Sequence, residues 1–322
     1  MAEPPYGIIW KALMKGRVIP FLGAGASFVG RSANAKWDSA SPSFLPSAAE
    51  LANYLAKDAC FPSADPHELG DLAKVATYYE DLSGRPSLRE SLHQVLRRDF
   101  APGAIHALLA EIPVPLLIVS TNYDSLIEEA FRKAQRPFDL VVYPADHKDI
   151  ANAVLWWRAG EPSPDPVSPN TLVGLDDRTV IYKMHGTMSQ RGPPKEDDFV
   201  VTEEDYIEFL SRMTINTALP AFFFERCEEA SFLFLGYSLK DWNVRVILNN
   251  LSKHFSGPVR AGQAGAAAAS PSSEPRERPA HWAIQLAPSE VEQSFWVRRG
   301  VNIFDQSVDD FAAKMRACRP KE

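Results

Sequence analysis

A short apolar segment that ends in small residues is the first place where this chain could bind a ligand. Val18 to Leu22 is followed directly by Gly23-Ala24-Gly25-Ala26-Ser27. Glycines let a backbone approach a phosphate closely, and the amides of such a turn can donate hydrogen bonds to phosphate oxygens. The candidate phosphate-binding residues are therefore Gly23, Ala24, Gly25 and Ser27. A tight turn between a strand and a helix explains the same pattern, and Phe28 replaces the third glycine of the dehydrogenase fingerprint.

Two other segments place polar side chains directly after apolar runs. They are Thr121-Asn122-Tyr123-Asp124 and Lys183-Met184-His185-Gly186. Hydroxyl, amide and carboxylate groups at such positions can face a ligand, and histidine is the usual general base near neutral pH. Both segments also have a purely structural interpretation. Thr121 or Asn122 fits the cap of a following helix, with Asp124 favoured by the helix dipole, and a lone histidine is more often structural than catalytic.

A fourth segment combines a glycine with hydroxyl, carboxylate and amide side chains. It contains Gly236-Tyr237-Ser238 and, a few residues later, Asp241 and Asn243. The glycine would let a ligand approach, Ser238 can donate to a ribose or phosphate, and Asp241 can accept hydrogen bonds from hydroxyl groups. Asp241 is equally well explained as the cap of a helix.

These four segments follow four predicted strands that alternate with helices. The strands are predicted at 18–22, 116–119, 180–184 and 231–235, with two more at 281–286 and 301–304. The helices are predicted at 123–134, 241–255, 289–299 and 308–317. Short apolar strands that alternate with amphipathic helices predict an α/β fold with a Rossmann-like, doubly wound parallel sheet. Ligands bind beyond the carboxyl ends of the strands in such sheets, so the four segments should lie at one edge.

Two regions depart from this alternation within what we expect to be a single domain spanning residues 1–322. Residues 47–112 contain several predicted helices and no clear strand, which indicates a helical insert that forms a layer or small subdomain. Residues 257–280 are rich in Gly, Ala, Ser and Pro, which is typical of a flexible loop.

Composition limits the classes of protein to which the chain can belong. Its 322 residues are 45% hydrophobic and carry a formal net charge of -7, which disfavours direct binding to a nucleic-acid backbone. The 3 cysteines are far apart and form no Cys-x-x-Cys pair, so we expect a reducing compartment and no metal site. No apolar run is long enough to span a membrane, and we therefore expect a cytoplasmic protein.

Taken together and in this order, the four segments resemble the sirtuin family, in particular its bacterial branch of NAD-consuming defence proteins that lack the zinc ribbon. Gly23 to Ser27 matches the Gly-Ala-Gly-x-Ser phosphate loop, and His185-Gly186 matches the His-Gly pair of the family. Thr121 to Asp124 is similar to the Thr-x-Asn-x-Asp segment, with one residue fewer between Thr and Asn. Gly236-Tyr237-Ser238 is similar to the Gly-Thr/Tyr-Ser turn, and Asp241-x-Asn243 is typical of the defence branch.

The resemblance implies NAD as the substrate and gives each segment a role. Asn122 and His185 would be catalytic. The cofactor-binding residues would be Gly23, Ala24, Gly25, Ser27, Thr121, Asp124, Gly236, Tyr237, Ser238, Asp241 and Asn243. Protein-deacylating sirtuins carry two Cys-x-x-Cys pairs and a Pro-Asp-Phe-Arg stretch, and this chain has neither. The expected reaction is therefore cleavage of the nicotinamide–ribose bond by an NAD glycohydrolase, giving nicotinamide and ADP-ribose or a cyclic form.

Two alternatives stay open, an NAD-dependent protein deacylase and a non-catalytic sensor of NAD or ADP-ribose. The resemblance also implies a role in antiphage defence by NAD depletion. Such an enzyme must be silent until it is triggered, so we expect a homo-oligomer or a regulatory partner. A HerA-type ATPase, an Argonaute-like protein and a nucleotide-signal protein all fit that expectation.

Overall fold

A wide β-sheet forms the centre of the protein. The computed structural model describes residues 3–32, 35–145, 153–169, 177–188, 197–214, 223, 226–227, 230–237 and 280–319. Within these residues, nine strands form the main sheet and two short strands pair separately. The main strands are β1 (Val18–Leu22), β2 (Leu117–Ser120), β3 (Phe138–Val142), β4 (Val154–Trp157), β5 (Asp165–Val167), β6 (Thr179–Lys183), β9 (Ser231–Leu235), β10 (His281–Gln285) and β11 (Val301–Asp305). The separate pair is β7 (Gly186–Thr187) with β8 (Asp198–Phe199).

The order of the strands places the loops of interest side by side. Across the sheet it is β11-β10-β9-β1-β2-β6-β3-β4-β5. Every neighbouring pair from β11 to β3 is parallel, and the pairs β3–β4 and β4–β5 at one edge are antiparallel. Leu22 at the end of β1 pairs with both Ser120 of β2 and Leu235 of β9. The loops that follow β1, β2, β6 and β9 are therefore neighbours at one edge of the sheet.

Helices cover both faces of this sheet. They are α1 (Tyr6–Leu13), α2 (Ala48–Asp58), α3 (Pro66–Leu69), α4 (Leu72–Ser83), α5 (Arg85–Leu96), α6 (Ala104–Glu111), α7 (Leu126–Lys133), α8 (Glu203–Thr214), α9 (Glu290–Val297) and α10 (Val308–Ala317). Alternate residues of β1 point to opposite faces. Phe21 packs in the cluster that contains Phe209 of α8, whereas Leu22 packs in the cluster that contains Phe311 of α10. Burial on both faces explains the continuous apolar strands and confirms the Rossmann-like, doubly wound α/β class.

The helical region that the sequence indicates at 47–112 is present as α2 to α6. Its first four helices enclose a third core cluster. Ser47 and Glu50 form a reciprocal capping box that begins α2. Helices α3 and α4 are separated by a break at Gly70 and Asp71. The break follows from Asp71, whose carboxylate accepts a hydrogen bond from the Lys74 amide and so starts a new helix.

Several elements were not anticipated from the sequence. They include α1, β3, β4, β5, the β7–β8 pair and α8. β5 contains Pro166, which is tolerated because β5 is the edge strand and needs no further ladder donor. The helix predicted at 241–255 and the flexible loop predicted at 257–280 lie outside the described residues, apart from Ala280.

Neither a membrane-spanning helix nor a metal-binding cluster occurs among the described residues. In that part of the chain, no helix combines the length and the apolar character that crossing a bilayer requires. The same residues contain no group of three His, Cys, Asp or Glu side chains placed to hold a metal ion.

Candidate functional site

The glycine turn after β1 lies directly against the turn after β9. The Gly23 amide donates to the Leu235 carbonyl at 3.0 Å, and the Gly25 amide donates to the Gly236 carbonyl at 2.9 Å. Gly236 has a φ of +67°, and a Cβ built on it would lie 2.2 Å from the Ala26 nitrogen. Glycine at 236 is thus required for the two backbones to touch. The tight-turn interpretation explains part of this pattern, because the amides of Gly23 and Gly25 are already bonded within the fold.

A chain of side-chain hydrogen bonds joins the β1 turn to the loop after β2. The Asn122 amide nitrogen Nδ2 donates to the Gly23 carbonyl at 2.9 Å and to Ser27 Oγ at 2.8 Å. Ser27 Oγ in turn donates to Asp124 Oδ2 at 2.6 Å. The structure thus brings together four of the residues that the sequence singles out.

The direction of these bonds determines how the Asn122 amide is oriented. A carboxylate and a carbonyl only accept hydrogen bonds, so the Ser27 hydroxyl must give its one hydrogen to Asp124. The Ser27 oxygen then accepts from Asn122, and the Gly23 carbonyl also needs a donor. Both requirements place Nδ2 on this side and leave Oδ1 without a partner among the described residues. Asn122 is only partly buried, so Oδ1 is an acceptor available to a ligand hydroxyl or a water.

Asp124 holds this loop rather than presenting a free carboxylate. It is 8% exposed, its Oδ2 accepts from Ser27, and its Oδ1 accepts from the Leu126 amide at 3.0 Å. The bond from the Leu126 amide to Asp124 Oδ1 closes a local turn that competes with helix formation. This explains why α7 begins at Leu126 and not at Tyr123. The N-cap position of α7 is Ser125, which makes no side-chain capping bond, so neither Thr121 nor Asn122 caps this helix. Asn122 is directed to the β1 turn instead.

Thr121 and Tyr237 link the loops after β2 and β9. The Tyr237 hydroxyl donates to Thr121 Oγ1 at 2.7 Å, and the Tyr237 ring is 4% exposed. The Phe234 ring lies edge-on to Tyr237, with 6.1 Å between centroids. Three further candidates, Ser238, Asp241 and Asn243, lie outside the described residues.

His185 follows β6 and is enclosed by aromatic rings. It is 3% exposed, and its ring lies edge-on to Tyr206 at 5.5 Å and to Phe209 at 5.4 Å. Burial lowers its pKa to about 3, so the imidazole is neutral at physiological pH. Its Nε2 is buried and has no hydrogen-bond partner among the described residues. A buried ring nitrogen without a partner is costly, and it is the kind of group that a ligand hydroxyl or a water would satisfy.

Gly186 allows the chain to turn sharply after His185. Its φ is +83°, and a Cβ there would lie 2.2 Å from the Asp198 carbonyl oxygen. The His185 carbonyl accepts from the Val200 amide at 2.9 Å. This bond and the β7–β8 pair thus hold the backbone that follows the histidine ring.

The His185 and Asn122 segments are adjacent but do not bond through those two side chains. The Met188 amide donates to the Tyr123 carbonyl at 3.0 Å, and the Tyr123 hydroxyl donates to the Val200 carbonyl at 2.6 Å. A cavity of about 250 Å³ opens beside the same loop. Asp124 and Ser125 line it, together with residues before α2 and α6, whereas Asn122 and His185 are not among its described lining residues.

Two charged residues beneath the site received no role from the sequence. Lys183 is completely buried, and its Nζ donates to the Asp124 carbonyl and lies 3.5 Å from Glu128 Oε1. The sequence did contain a signal for both residues, since each is a charged residue within an apolar pattern. Lys183 ends an otherwise apolar strand, and Glu128 follows Leu126 and Ile127 on the first turn of an amphipathic helix.

Comparison with known proteins agrees with this arrangement. Residues 116–304, more than half of the chain, match the family model of the SIR2-like domain. The matched stretch begins beside β2, so it includes Asn122 and His185 but not the turn after β1.

Two curated relatives are similar over nearly the same length. One is "NAD(+) hydrolase ThsA" of Acinetobacter baumannii (strain 532279), 29% identical over 187 residues that cover 58% of this chain and 32% of the relative. The other is "NAD(+) hydrolase ThsA" of Enterococcus faecium, 27% identical over 191 residues that cover 56% of this chain and 32% of the relative. The similarity spans about one third of the length of each relative. The sheet, the arrangement of the loops and the matched family model lead to one conclusion: this chain belongs to the SIR2-like domain family.

Proposed function

We propose that this chain hydrolyses NAD at the bond between nicotinamide and ribose. The observation that carries the proposal is the Asn122–Ser27–Asp124 chain of hydrogen bonds, which fixes the Asn122 amide oxygen at the edge of the sheet. The neighbouring loop carries the neutral His185, whose Nε2 has no hydrogen-bond partner among the described residues. Two relatives that are similar to part of this chain bear the name NAD(+) hydrolase, which supports NAD as the substrate.

In this proposal the dinucleotide lies across the turns after β1 and β9. The amides of Gly23 and Gly25 are engaged within the fold, so the pyrophosphate rests on the Ala24 amide and the start of the short helix Ala24–Ser27. Tyr237 and the segment with Ser238, Asp241 and Asn243 bind the adenosine half. Thr121 and Asp124 support the loop that faces the nicotinamide ribose.

The chemistry is the replacement of nicotinamide by water at the anomeric carbon of the ribose. The C1′–N bond breaks and its electron pair leaves with nicotinamide, so positive charge develops on the ribose as in other glycosyl transfers. Water then forms the new C1′–O bond and loses one proton, which gives ADP-ribose. A cyclic product results where a group of the substrate itself attacks in place of water.

Asn122 and His185 act on the attacking oxygen. Asn122 Oδ1 accepts a hydrogen bond from the water or the ribose hydroxyl and orients it. His185 Nε2 accepts the second hydrogen bond. With a pKa of about 3, the His185 ring is a weak base at neutral pH. It therefore accepts a proton from the water or the ribose hydroxyl only as the C1′–N bond breaks and that group becomes more acidic.

The experiment is incubation of the purified chain with NAD alone and nicotinamide detection. Release without any peptide is the expected result. Strict dependence on an acyl-lysine peptide would make the protein a deacylase. Tight ADP-ribose binding without turnover in any assembly state would make it a sensor.

A substitution at His185 tests the proposed role of the ring. His185→Phe keeps the aromatic packing against Tyr206 and Phe209 and removes Nε2. We expect a loss of about a hundred- to ten-thousand-fold in kcat, the usual contribution of one proton-transfer group. The matched control is His67→Phe on an exposed surface, where the rate should not change.

We also propose that the activity serves antiphage defence inside the cell and is controlled by assembly. Unregulated NAD loss would kill the host, so a homo-oligomer or a partner protein must keep the site silent. Adding candidate partners to the NAD assay, with light scattering to follow assembly, tests this. A rate that never depends on assembly or partner would contradict it.

A further inference from the structure

A buried ion pair between Lys183 and Glu128 lies below the Asn122 loop and has no role in the proposed hydrolysis. Lys183 is the last residue of β6 and is completely buried, and Glu128, in the first turn of α7, is 1% exposed. Lys183 Nζ lies 3.5 Å from Glu128 Oε1. The second carboxylate oxygen, Glu128 Oε2, is buried and has no hydrogen-bond partner among the described residues.

The ammonium group is directed at the loop that carries Asn122. Lys183 Nζ donates to the backbone carbonyl of Asp124, two residues after Asn122. The Asp124 side chain is held at the same time by Ser27 and by the Leu126 amide. The loop is therefore held at its main chain from β6 and at its side chain from the β1 turn.

The groups that face this pair come from several elements. His106 of α6 is near Asp124 and Lys183, and burial lowers its pKa to about 4, so it adds no charge at neutral pH. Burial raises the pKa of Glu128, and the Lys183 ammonium works against that rise. Arg132, one turn further along α7, also acts on Glu128. Lys183 is thus the cation of a buried cluster whose carboxylates are Glu128 and Asp124.

Stability alone does not explain such a pair. Removing charges from water costs several kcal/mol per ion, and well-packed apolar residues of the same volume are often equally or more stabilising. Lys183 therefore adds little to the stability of the fold, and its hydrogen bond to the Asp124 carbonyl acts on the geometry of the site instead. It sets the distance between the end of β6 and the Asn122 loop.

We propose that the Lys183–Glu128 pair is a positioning device for the Asn122 amide, and this inference rests on the proposed NAD hydrolysis. Glu128 holds the Lys183 ammonium, Lys183 holds the Asp124 carbonyl, and that carbonyl fixes where Asn122 Oδ1 meets the substrate. Because His185 lies two residues after Lys183, the same anchor sets the separation of the Asn122 and His185 loops.

The test separates position from stability. Lys183→Met keeps an unbranched side chain of nearly the same length and removes the ammonium group. The double variant Lys183→Met/Glu128→Leu also removes the Glu128 carboxylate, which the single variant leaves without its cation. We expect the single variant to lose kcat by about tenfold to a hundredfold with little change in KM for NAD, because small misplacements of oriented groups have effects of this size. The double variant should recover thermal stability but not kcat, and Lys183→Arg should recover part of kcat.

A second readout keeps this test independent of the proposed activity. The Asn122 side-chain NH2 signals in a nitrogen–proton NMR spectrum should shift in Lys183→Met and in the double variant. If wild-type protein releases no nicotinamide while these signals shift, the proposed function fails and the positioning role stands. If kcat returns with stability in the double variant, or the Asn122 signals stay unchanged, the positioning role is overturned.

Discussion

At the scale of single residues, the site depends on which hydrogen-bonding groups are satisfied by the fold and which are left for a ligand. Ser27, Asp124 and Tyr237 use their polar atoms within the protein. Among the described residues, the Asn122 side chain bonds only through Nδ2, and His185 Nε2 has no partner. The sequence could propose these five residues because each follows a strand. It could not indicate the bond between Ser27 and Asp124, which are 97 positions apart.

Ser27 offers a direct test of that long-range bond. Ser27→Ala leaves Asp124 Oδ2 buried without its donor and releases Asn122 from its second acceptor. We expect about 1–3 kcal/mol lower stability, the usual cost of an unpaired buried group. We also expect kcat for NAD cleavage to fall by about tenfold or more, because Asn122 loses its fixed orientation.

Denaturant unfolding and steady-state kinetics measure the two effects. Ser294→Ala, at an exposed position of α9, is the matched control and should leave both unchanged. An unaltered kcat in Ser27→Ala would show that the Asn122 amide does not need this anchor.

The buried histidine makes a second prediction at this scale. Burial lowers the pKa of His185 to about 3, so the ring is neutral at pH values well above 3. The pH profile of kcat/KM should therefore show no acid limb near pH 6.5 from His185. A limb at that pH that disappears in His185→Phe would contradict the buried, neutral ring.

At the scale of elements, the apolar pattern predicted the six strands from β11 to β6 in the sheet order and missed β3, β4 and β5 on the other side of β6. β1, β2, β6 and β9 are buried on both faces, so their sequences are continuous apolar runs. β5 reads Asp-Pro-Val and is mostly exposed, so nothing in its composition distinguishes it from a loop. Only its pairing with β4 defines it as a strand, and that pairing depends on the tertiary fold.

The contact between the β1 and β9 turns can be tested with two glycines of nearly equal φ. Gly236 has φ +67° and a Cβ there would meet the Ala26 nitrogen at 2.2 Å, whereas Gly30 has φ +69° and nothing within 4 Å. Gly30→Ala should cost only the conformational strain of about 1–2 kcal/mol. Gly236→Ala should cost considerably more, because the two turns must separate.

Thermal or denaturant unfolding of both variants gives the comparison. The difference between them isolates the backbone contact from the strain that both share. Equal losses of stability in the two variants would mean that the turns after β1 and β9 are not in contact.

At the scale of the whole molecule, the buried histidines make the fold sensitive to acid. Burial lowers the pKa of His185 to about 3 and the pKa of both His106 and His281 to about 4. Two of these rings accept a backbone hydrogen bond at Nδ1, from Gly103 and from Phe232, and protonation would break those bonds.

The sign of the pH dependence follows from these shifts. Between pH 6.5 and 4 the unfolded chain binds protons that the folded protein excludes, so stability is full above pH 6.5 and falls as the pH decreases. Each such group contributes about 1.4 kcal/mol per pH unit. Glu128 acts in the opposite direction, because its pKa is raised in the folded protein.

Urea unfolding at several pH values should show that the free energy of unfolding declines as the pH falls. His185→Phe should reduce the slope of that free energy against pH by the equivalent of about one proton. Stability that stays constant from pH 7 to pH 5 would contradict it.

The central claim is that a SIR2-like sheet edge carrying a fixed Asn122 cleaves NAD. The most direct measurement is the rate of nicotinamide release by wild-type protein, by Asn122→Ala and by Asn302→Ala, an exposed position on β11. We expect nicotinamide release by wild type and Asn302→Ala, and a rate at least about a hundredfold lower for a folded Asn122→Ala. Equal rates for Asn122→Ala and wild type would contradict it.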